Sequence, residues 1–178
     1  MSILEAATQL FTELGYDGLY VEGVAARAGV SKATIYRRYP SKVALLIAAA
    51  EALGRSARGP IPDTGSLRED LCALGLGYRR LLEDSEAGRA IPALIVARHR
   101  DPDLAEAHRS FIAERRAEAV GIVQRGVVRG DIRADADVEL VIDLVAGPLF
   151  SKILINGDTL DDGYVDRLVE SVLQAFAA

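Results

Sequence analysis

The sequence has a single cysteine, Cys72, among its 178 residues, so no disulfide can form within the chain and a cysteine-based metal site would lack partners. Long apolar runs are also missing: the longest, from Val43 to Ala50, has eight residues, whereas a membrane-spanning helix needs roughly 18. The chain does not open with a basic segment followed by an apolar one, so no secretion signal is predicted. We therefore expect a cytoplasmic protein that makes no use of a membrane.

Basic residues are fewer than acidic residues in the chain as a whole. The chain has 21 Lys and Arg against 26 Asp and Glu, a net charge of −5, and a pI of about 5.1. This balance excludes a histone-like or ribosomal protein, in which basic residues are spread throughout. Half of the residues are hydrophobic, which excludes a disordered tail. One globular core, or two small units sharing one, is expected.

Acidic residues are absent from one window, residues 23–50, where five basic residues lie between Arg27 and Lys42. Residues 1–58 contain seven basic and five acidic side chains, a net charge of +2, so the remaining residues carry −7. Positive charge concentrated on one surface of an acidic protein is typical of a site for a polyanion, and an acidic remainder would leave only that surface able to approach one. Charge alone equally allows a solvated basic helix face.

The periodicity predicts an all-α fold of about nine helices, because apolar residues recur at helical spacing and strand-like alternation is missing. Capping boxes predict helix starts at Ser2–Glu5 and Ser66–Glu69, and proline after an N-cap residue predicts another at Asp101–Pro102. Gly15 and Gly130 are predicted to end two of the helices.

Residues 54–66 are a linker by composition, since they contain three glycines and two prolines. We place the domain boundary there, between residues 1–53 and residues 67–178. The last two predicted helices, 136–155 and 161–176, are apolar well beyond a single stripe. This excess favours a symmetric homodimer formed through them, although burial of both helices within one chain would explain it too.

Two short helices, about 21–28 and 32–39, are separated by a turn that contains Gly29, which is typical of a helix-turn-helix unit. At about 100° per residue, Ile35 and Tyr39 define the buried side of the second helix. The opposite side carries Ala33, Thr34 and Arg37, with Tyr36 and Arg38 on its flanks.

The exposed side chains of this second helix suit contact with DNA. Ala33 allows close approach to base edges, Thr34 can form a hydrogen bond or meet a thymine methyl, and Arg37 can reach guanine or a phosphate. Ser31 is the expected N-cap, and the helix N-terminus that it begins is itself favourable for phosphate. Lys42, in the first turn of the next helix, is unfavourable for the helix dipole, a cost that a bound phosphate would reverse.

The segment GYDGLYVEGVAARAGVSKATIYRRYPSKVALL, preceded by ILEAATQLFTEL, closely resembles the N-terminal domain of the TetR family of bacterial transcriptional regulators. The resemblance implies a three-helix helix-turn-helix domain, a larger helical C-terminal domain for ligand sensing and dimerisation, and release from DNA when a small molecule binds. It further implies two sets of DNA contacts. Lys32, Ala33, Thr34 and Tyr36 match the residues that usually face bases, and Ser31, Arg37, Arg38 and Lys42 match those that usually hold phosphates.

The sequence departs from the family pattern at three positions. Tyr20 stands where many members have a threonine that caps the second helix, and Gly23 and Val43 replace residues that are commonly acidic. The chain also begins almost at the first helix, without the basic arm often found upstream of it. Tyr20 is not expected to cap as threonine does.

The second half resembles one C-terminal class of the same family, in RHRDPDLAEAHRSFIAERR and RGDIRADADVELVIDLVAGPLFSKILINGDTL. An apolar cavity among the middle helices is the expected effector site, although ordinary core packing explains each single lining residue as well. The candidate lining residues are Leu74, Tyr78, Leu94, Ile95, Phe111 and Phe150. No cofactor is expected, and no metal, because His99 and His108 have no third ligand at suitable spacing.

These observations predict a dimeric repressor that binds a pseudo-palindromic operator in double-stranded DNA and is released by a small-molecule effector. An all-helical enzyme is disfavoured, since the sequence has no glycine-rich phosphate loop, no HExxH and no nucleophile elbow. The alternative is a ligand-independent helix-turn-helix protein, or an activator.

Overall fold

The computed structural model describes residues 1–177, and within them all regular structure is helical. As predicted, nine α-helices account for it, one of them extended by a π-helical turn. They are α1 (Ile3–Gly18), α2 (Val21–Ala28), α3 (Lys32–Arg38), α4 (Lys42–Arg58), α5 (Leu67–Asp84), α6 (Glu86–Ala97), α7 (Pro102–Arg129), α8 (Val138–Phe150, continued by the π-helical turn Ser151–Asn156) and α9 (Tyr164–Ala175). None of these helices combines the length and apolar character of a membrane span.

Helix α1 begins at the predicted capping box. The Ser2 hydroxyl accepts from the Glu5 amide at 3.2 Å, and the Ser2 amide donates to the Glu5 carboxylate at 2.8 Å. The helix is interrupted at Gly15, whose φ of +71° and ψ of −174° are not helical. Glycine adopts this backbone conformation without strain, so the regular part of α1 ends where the sequence predicts.

Helices α2 and α3 match their predicted positions closely, because the signals between them are specific. Gly29 ends α2 in the left-handed conformation, with φ of +69°, and its amide donates to the carbonyls of Ala25 and Ala26. Ser31 then caps α3, since its hydroxyl accepts from the Thr34 amide at 3.1 Å.

Helix α4 does not end near residue 53 as predicted but continues to Arg58, into the segment that composition assigns to a linker. The rest of that segment is hydrogen-bonded: Thr64 donates to Asp70 Oδ1 through its amide at 2.7 Å and its hydroxyl at 2.9 Å. Arg125 of α7 donates to the carbonyl of Pro62 at 2.7 Å. Only half of the second capping box forms, because the Ser66 amide donates to the Thr64 hydroxyl and not to Glu69.

Contacts divide the chain into two compact units, residues 1–57 with 84–112, and residues 58–83 with 113–178. The core of the first unit contains fully buried side chains of α1 to α4, among them Phe11, Ile35 and Leu45. Helix α6 contributes Leu94 to the same core. The division by contacts therefore differs from the division by composition, because α6 supplies apolar side chains to the helix-turn-helix helices.

The second unit has its own core, built from α5, the later part of α7, α8 and α9. Its buried side chains include Leu71, Ile122, Val145 and Val169. Helices α5 and α9 approach closely at Gly75, where an added Cβ would lie 2.7 Å from Val165 Cγ1. A larger residue at this position would push the two helices apart.

A hydrogen bond in the first unit joins the end of α1 to the start of α7. Tyr16 donates its hydroxyl proton to Asp101 Oδ2 at 2.5 Å, while Asp101 Oδ1 accepts from the Leu104 amide at 3.0 Å and caps α7 as predicted. The hydrogen bond from Tyr16, followed by those from the backbone, lowers the pKa of Asp101. Burial, then the bond to Asp101, raises the pKa of Tyr16.

The place of α6 in the first core predicts the effect of truncating Leu94. Leu94→Ala should destabilise the protein by about 2–5 kcal/mol, because it leaves a cavity beneath the helix-turn-helix helices. Val96→Ala is the matched control, since Val96 is exposed on the same helix, and it should change the free energy of unfolding by no more than about 0.5 kcal/mol. Urea unfolding measures both. Equal effects of the two variants would contradict the assignment of α6 to this core.

The bond between Tyr16 and Asp101 predicts a pH-dependent difference in stability. In the unfolded chain Asp101 has its ordinary pKa of about 3.8, so a lower folded value stabilises the fold above that pH. This stabilisation is lost as the pH falls through the lowered pKa. Tyr16→Phe should therefore lower Tm at pH 7, and the gap from the wild type should narrow towards pH 3.

Thermal unfolding of both proteins across this range measures the gap. Tyr36→Phe is the control, because Tyr36 is half exposed on α3 and its variant should keep the wild-type profile. A gap for Tyr16→Phe that does not change with pH would show that the hydroxyl acts independently of the Asp101 carboxylate.

Candidate nucleic-acid interface

Helix α3 has one buried and one exposed side, as the sequence predicts. Ile35 is fully buried and Tyr39 nearly so, and both belong to the core of the first unit. Seven of the eight predicted DNA-contact residues lie on α3 or at its N-cap, and the eighth, Lys42, is the first residue of α4. Two of the eight, Thr34 and Lys42, are partly buried. The other six are exposed: Ser31, Lys32, Ala33, Tyr36, Arg37 and Arg38.

The start of α3 is ordered by its own hydroxyl groups. The Ser31 and Thr34 hydroxyls lie 2.9 Å apart, and the Thr34 amide donates to Ser31. Ser31 therefore acts as the predicted N-cap. This arrangement fixes both hydroxyl groups before any ligand arrives, which reduces the conformational entropy lost on binding.

The basic window is partly neutralised by acidic residues that precede it in the sequence. Arg27 forms a two-pronged ion pair with Glu13 of α1, at 2.8 and 2.9 Å, and Lys32 pairs with Glu22 of α2 at 2.8 Å. The Arg27 guanidinium lowers the pKa of Glu13 through its hydrogen bonds. Folding therefore brings Glu13 and Glu22 next to two of the five basic residues of the window.

Three cations of the window form no ion pair within residues 1–177. One is Lys42, and the other two are Arg37 and Arg38. Both arginines are exposed in the last turn of α3, where a positive charge is favourable for the helix dipole. The Arg38 guanidinium lies 5.6 Å from the centre of the Tyr39 ring. The positive charge available to a polyanion is thus concentrated at the C-terminal end of α3.

Lys42 is held by α1. Its ammonium group donates to the backbone carbonyl of Tyr16 at 3.0 Å and lies 3.9 Å from the centre of the Tyr16 ring. In the free protein these contacts offset the cost of placing a cation at the start of a helix. From the sequence alone, only a bound phosphate was expected to offset that cost. Tyr16 is consequently a positioning residue for Lys42, and spacing along the chain gives no signal for it.

Tyr20 and Gly23, two of the departures from the family pattern, are neighbours in space. Tyr20 is the N-cap of α2 but makes no side-chain capping bond, as predicted. An added Cβ at Gly23 would lie 2.8 Å from Tyr20 Cε2 and Cζ. The glycine therefore makes room for the half-exposed tyrosine ring, so the two departures depend on each other.

The predicted effector-lining residues fall in both units. In the first unit, Leu94 lies in the hydrophobic core and Ile95 is exposed, while the ring of Phe111 is 6.5 Å from that of His108. In the second unit, Leu74 is buried and Tyr78 meets Phe150 edge-on at 6.0 Å. Burial raises the pKa of Tyr78. The structure thus brings Tyr78 and Phe150 together.

Residues 1–177 contain no group of three or more His, Cys, Asp or Glu side chains that could hold a metal ion. His108 is buried beside Arg98, whose Nη1 lies 3.2 Å from its Nδ1. Burial, followed by the charge of Arg98, lowers the pKa of His108.

Comparison with protein families gives two matches. The model described as "Bacterial regulatory proteins, tetR family" matches residues 3–49, and "Tetracyclin repressor-like, C-terminal domain" matches residues 61–172. The first match contains all eight predicted DNA-contact residues. The second covers more than half of the chain.

Curated proteins and solved structures agree with these matches. The HTH-type transcriptional regulator YdeS of Bacillus subtilis is 38% identical over 178 residues, which is 99% of this chain and 89% of that protein. The DNA-binding transcriptional repressor TetR of Mycobacteroides abscessus is 35% identical over 173 residues, 97% of this chain and 90% of that protein. The crystal structure of the TetR family transcription regulator SCO0332 has 34% sequence identity to this chain and a TM-score of 0.77. The match covers 99% of this chain and 97% of the SCO0332 chain. The chain therefore belongs to the TetR family of bacterial transcriptional regulators, and it is a DNA-binding regulator and not an enzyme.

Proposed function

We propose that this regulator is a cytoplasmic homodimeric repressor that reads a pseudo-palindromic operator with α3 and leaves it when a small molecule binds. Its family binds DNA operators and dimerises, and release by a ligand is typical of it. The observation that carries the proposal is the exposed side of α3, which ends in two arginines that form no ion pair within residues 1–177.

The proposed DNA contacts divide into base contacts and phosphate contacts. Ala33, Thr34 and Tyr36, with Lys32, lie on the side of α3 that enters the major groove and meet base edges. The phosphate contacts come from residues around them: Ser31, Arg37, Arg38 and Lys42. Lys42 supports this division, because its ammonium is already fixed by Tyr16 and needs no rearrangement to meet a phosphate.

The dimer would form through residues 136–155 and 161–176. On α8, Val141, Val145 and Leu149 are buried, but Leu144 leaves 38% of its surface exposed. Gly147 supports close packing of a second helix, because an added Cβ there would meet nothing within 4 Å. An exposed apolar helix face of this kind suits the same face of a second copy, and two-fold symmetry matches a palindromic operator.

The effector would enter the apolar interior of the chain. The candidate lining residues of the second unit, Leu74, Tyr78 and Phe150, combine an apolar side chain with two aromatic rings in edge-on contact. Apolar walls with a few polar groups are the usual lining of small-molecule sites. In the first unit the proposed lining residues are Leu94, Ile95 and Phe111. We therefore propose a small, largely apolar effector.

The division of contacts predicts different results for Lys42→Ala and Thr34→Ala. Lys42→Ala should weaken binding to all duplexes alike and reduce the slope of log K against log salt by about one unit per subunit, because one phosphate contact is lost. Thr34→Ala should keep that slope and change operator preference. Fluorescence anisotropy at several salt concentrations measures both, on a random-sequence duplex and on a duplex recovered by in-vitro selection. An unchanged slope for Lys42→Ala would remove Lys42 from the phosphate contacts.

The proposed interface predicts that a charge on α8 separates the dimer. Leu144→Glu should give monomers at micromolar concentration, because each copy would bury an unpaired carboxylate in an apolar interface. Val128→Glu is the matched control, since Val128 is 87% exposed on α7, and it should remain dimeric. Sedimentation velocity measures both variants. A dimeric Leu144→Glu protein, or a monomeric wild type, would contradict the interface.

A further inference from the structure

The ion pair between Glu22 and Lys32 joins the first turns of α2 and α3. Glu22 Oε1 lies 2.8 Å from Lys32 Nζ, and 58% and 54% of the two side chains remain exposed. Their hydrogen bond lowers the pKa of Glu22 and raises that of Lys32. A carboxylate is thus placed beside the first helical residue of the proposed recognition helix.

This pair contributes little to folding, since ion pairs between exposed side chains are weak. Glu22 does offset one local penalty, because Lys32 is a cation in the first turn of α3, where the helix dipole disfavours it. Its larger consequence concerns binding. A carboxylate near a polyanion is repelled, and Lys32 is no longer a free cation that can displace a counterion from a phosphate.

A base edge in the major groove satisfies both members of the pair at once. Lysine donates to guanine O6 or N7, and glutamate accepts from cytosine N4. In a G·C pair the O6 acceptor and the N4 donor lie side by side at the groove edge. An ammonium and a carboxylate 2.8 Å apart present the complementary donor and acceptor. A phosphate satisfies only the ammonium.

We propose that Glu22 is a specificity-determining residue, which together with Lys32 reads one G·C base pair in each half of the operator. The proposal rests on the proposed entry of α3 into the major groove and adds to it a base contact from α2. The ammonium of Lys32 donates to guanine, the carboxylate of Glu22 accepts from the paired cytosine, and their mutual hydrogen bond keeps the two groups in register.

The test compares the wild type with Glu22→Gln and Lys32→Gln by in-vitro selection from a randomised duplex library. Glu106→Gln is the matched control, because it removes the same charge from a different exposed ion pair of the first unit, the one between Glu106 and Arg109. The wild type should enrich a G·C pair at one fixed position of each half-site. Both Glu22→Gln and Lys32→Gln should lower the preference at that same position by roughly 5- to 100-fold, while Glu106→Gln should leave it unchanged.

Salt dependence on a random-sequence duplex gives a second measurement. Glu22→Gln frees the Lys32 ammonium, so its slope should become steeper by up to about 0.9 per subunit, whereas Glu106→Gln should keep the wild-type slope. Melting curves confirm that the variants are folded.

An unchanged preference and an unchanged slope for Glu22→Gln would overturn the proposal and leave the pair a structural contact. So would a loss of preference at different positions in Glu22→Gln and Lys32→Gln, because a shared base pair would then be wrong. A wild-type protein that enriches no sequence would refute the proposed function itself, which distinguishes the two failures.

Discussion

The packing of α6 and the first turn of α7 against the N-terminal helices is the constraint on which the DNA-binding surface depends. Leu94 and Leu104 lie in the same core as Phe11 and Ile35, so the core to which the buried side of α3 belongs includes side chains from far along the sequence. Three short helices alone would bury little apolar surface, and small units are marginal for this reason. The orientation of the exposed side of α3 is set by its buried side, since Ile35 and Tyr39 belong to this larger core.

Electrostatics within the first unit follow from the same packing. Residues 23–50 contain no acidic residue, but the fold places Glu13 of α1 and Glu22 of α2 against two basic residues of that window. Within residues 1–177, Lys42 and the two arginines in the last turn of α3 form no ion pair. A surface with a few unpaired cations, and others already paired, attracts DNA less strongly and discriminates more, since phosphate attraction is the part of binding that is independent of sequence.

Local signals were sufficient for most of the fold and for part of the site. Gly29 and Ser31 predict the bounds of α2 and α3 because a left-handed glycine and a hydroxyl cap act within four residues of the turn. The end of α4 could not be predicted in this way. Residues 54–58 look like a linker by composition, yet they continue α4, and Gly54 is buried there. Packing overrode the low intrinsic helix propensity of that segment.

The contacts of Tyr16 could not be predicted either, because local signals do not reach so far along the chain. Lys42 is 26 positions from Tyr16, and Asp101 is 85 positions from it. The carbonyl and ring of Tyr16 hold Lys42, and its hydroxyl holds the carboxylate that caps α7. The proposed phosphate contact and the start of α7 therefore share one side chain. A displacement of the first turn of α7 must either break the hydrogen bond to Asp101 or carry the Tyr16 side chain with it, and in the second case the ring beside the Lys42 ammonium moves as well. Positioning of the proposed phosphate contact is thus tied to the same helix turn that completes the core of the first unit.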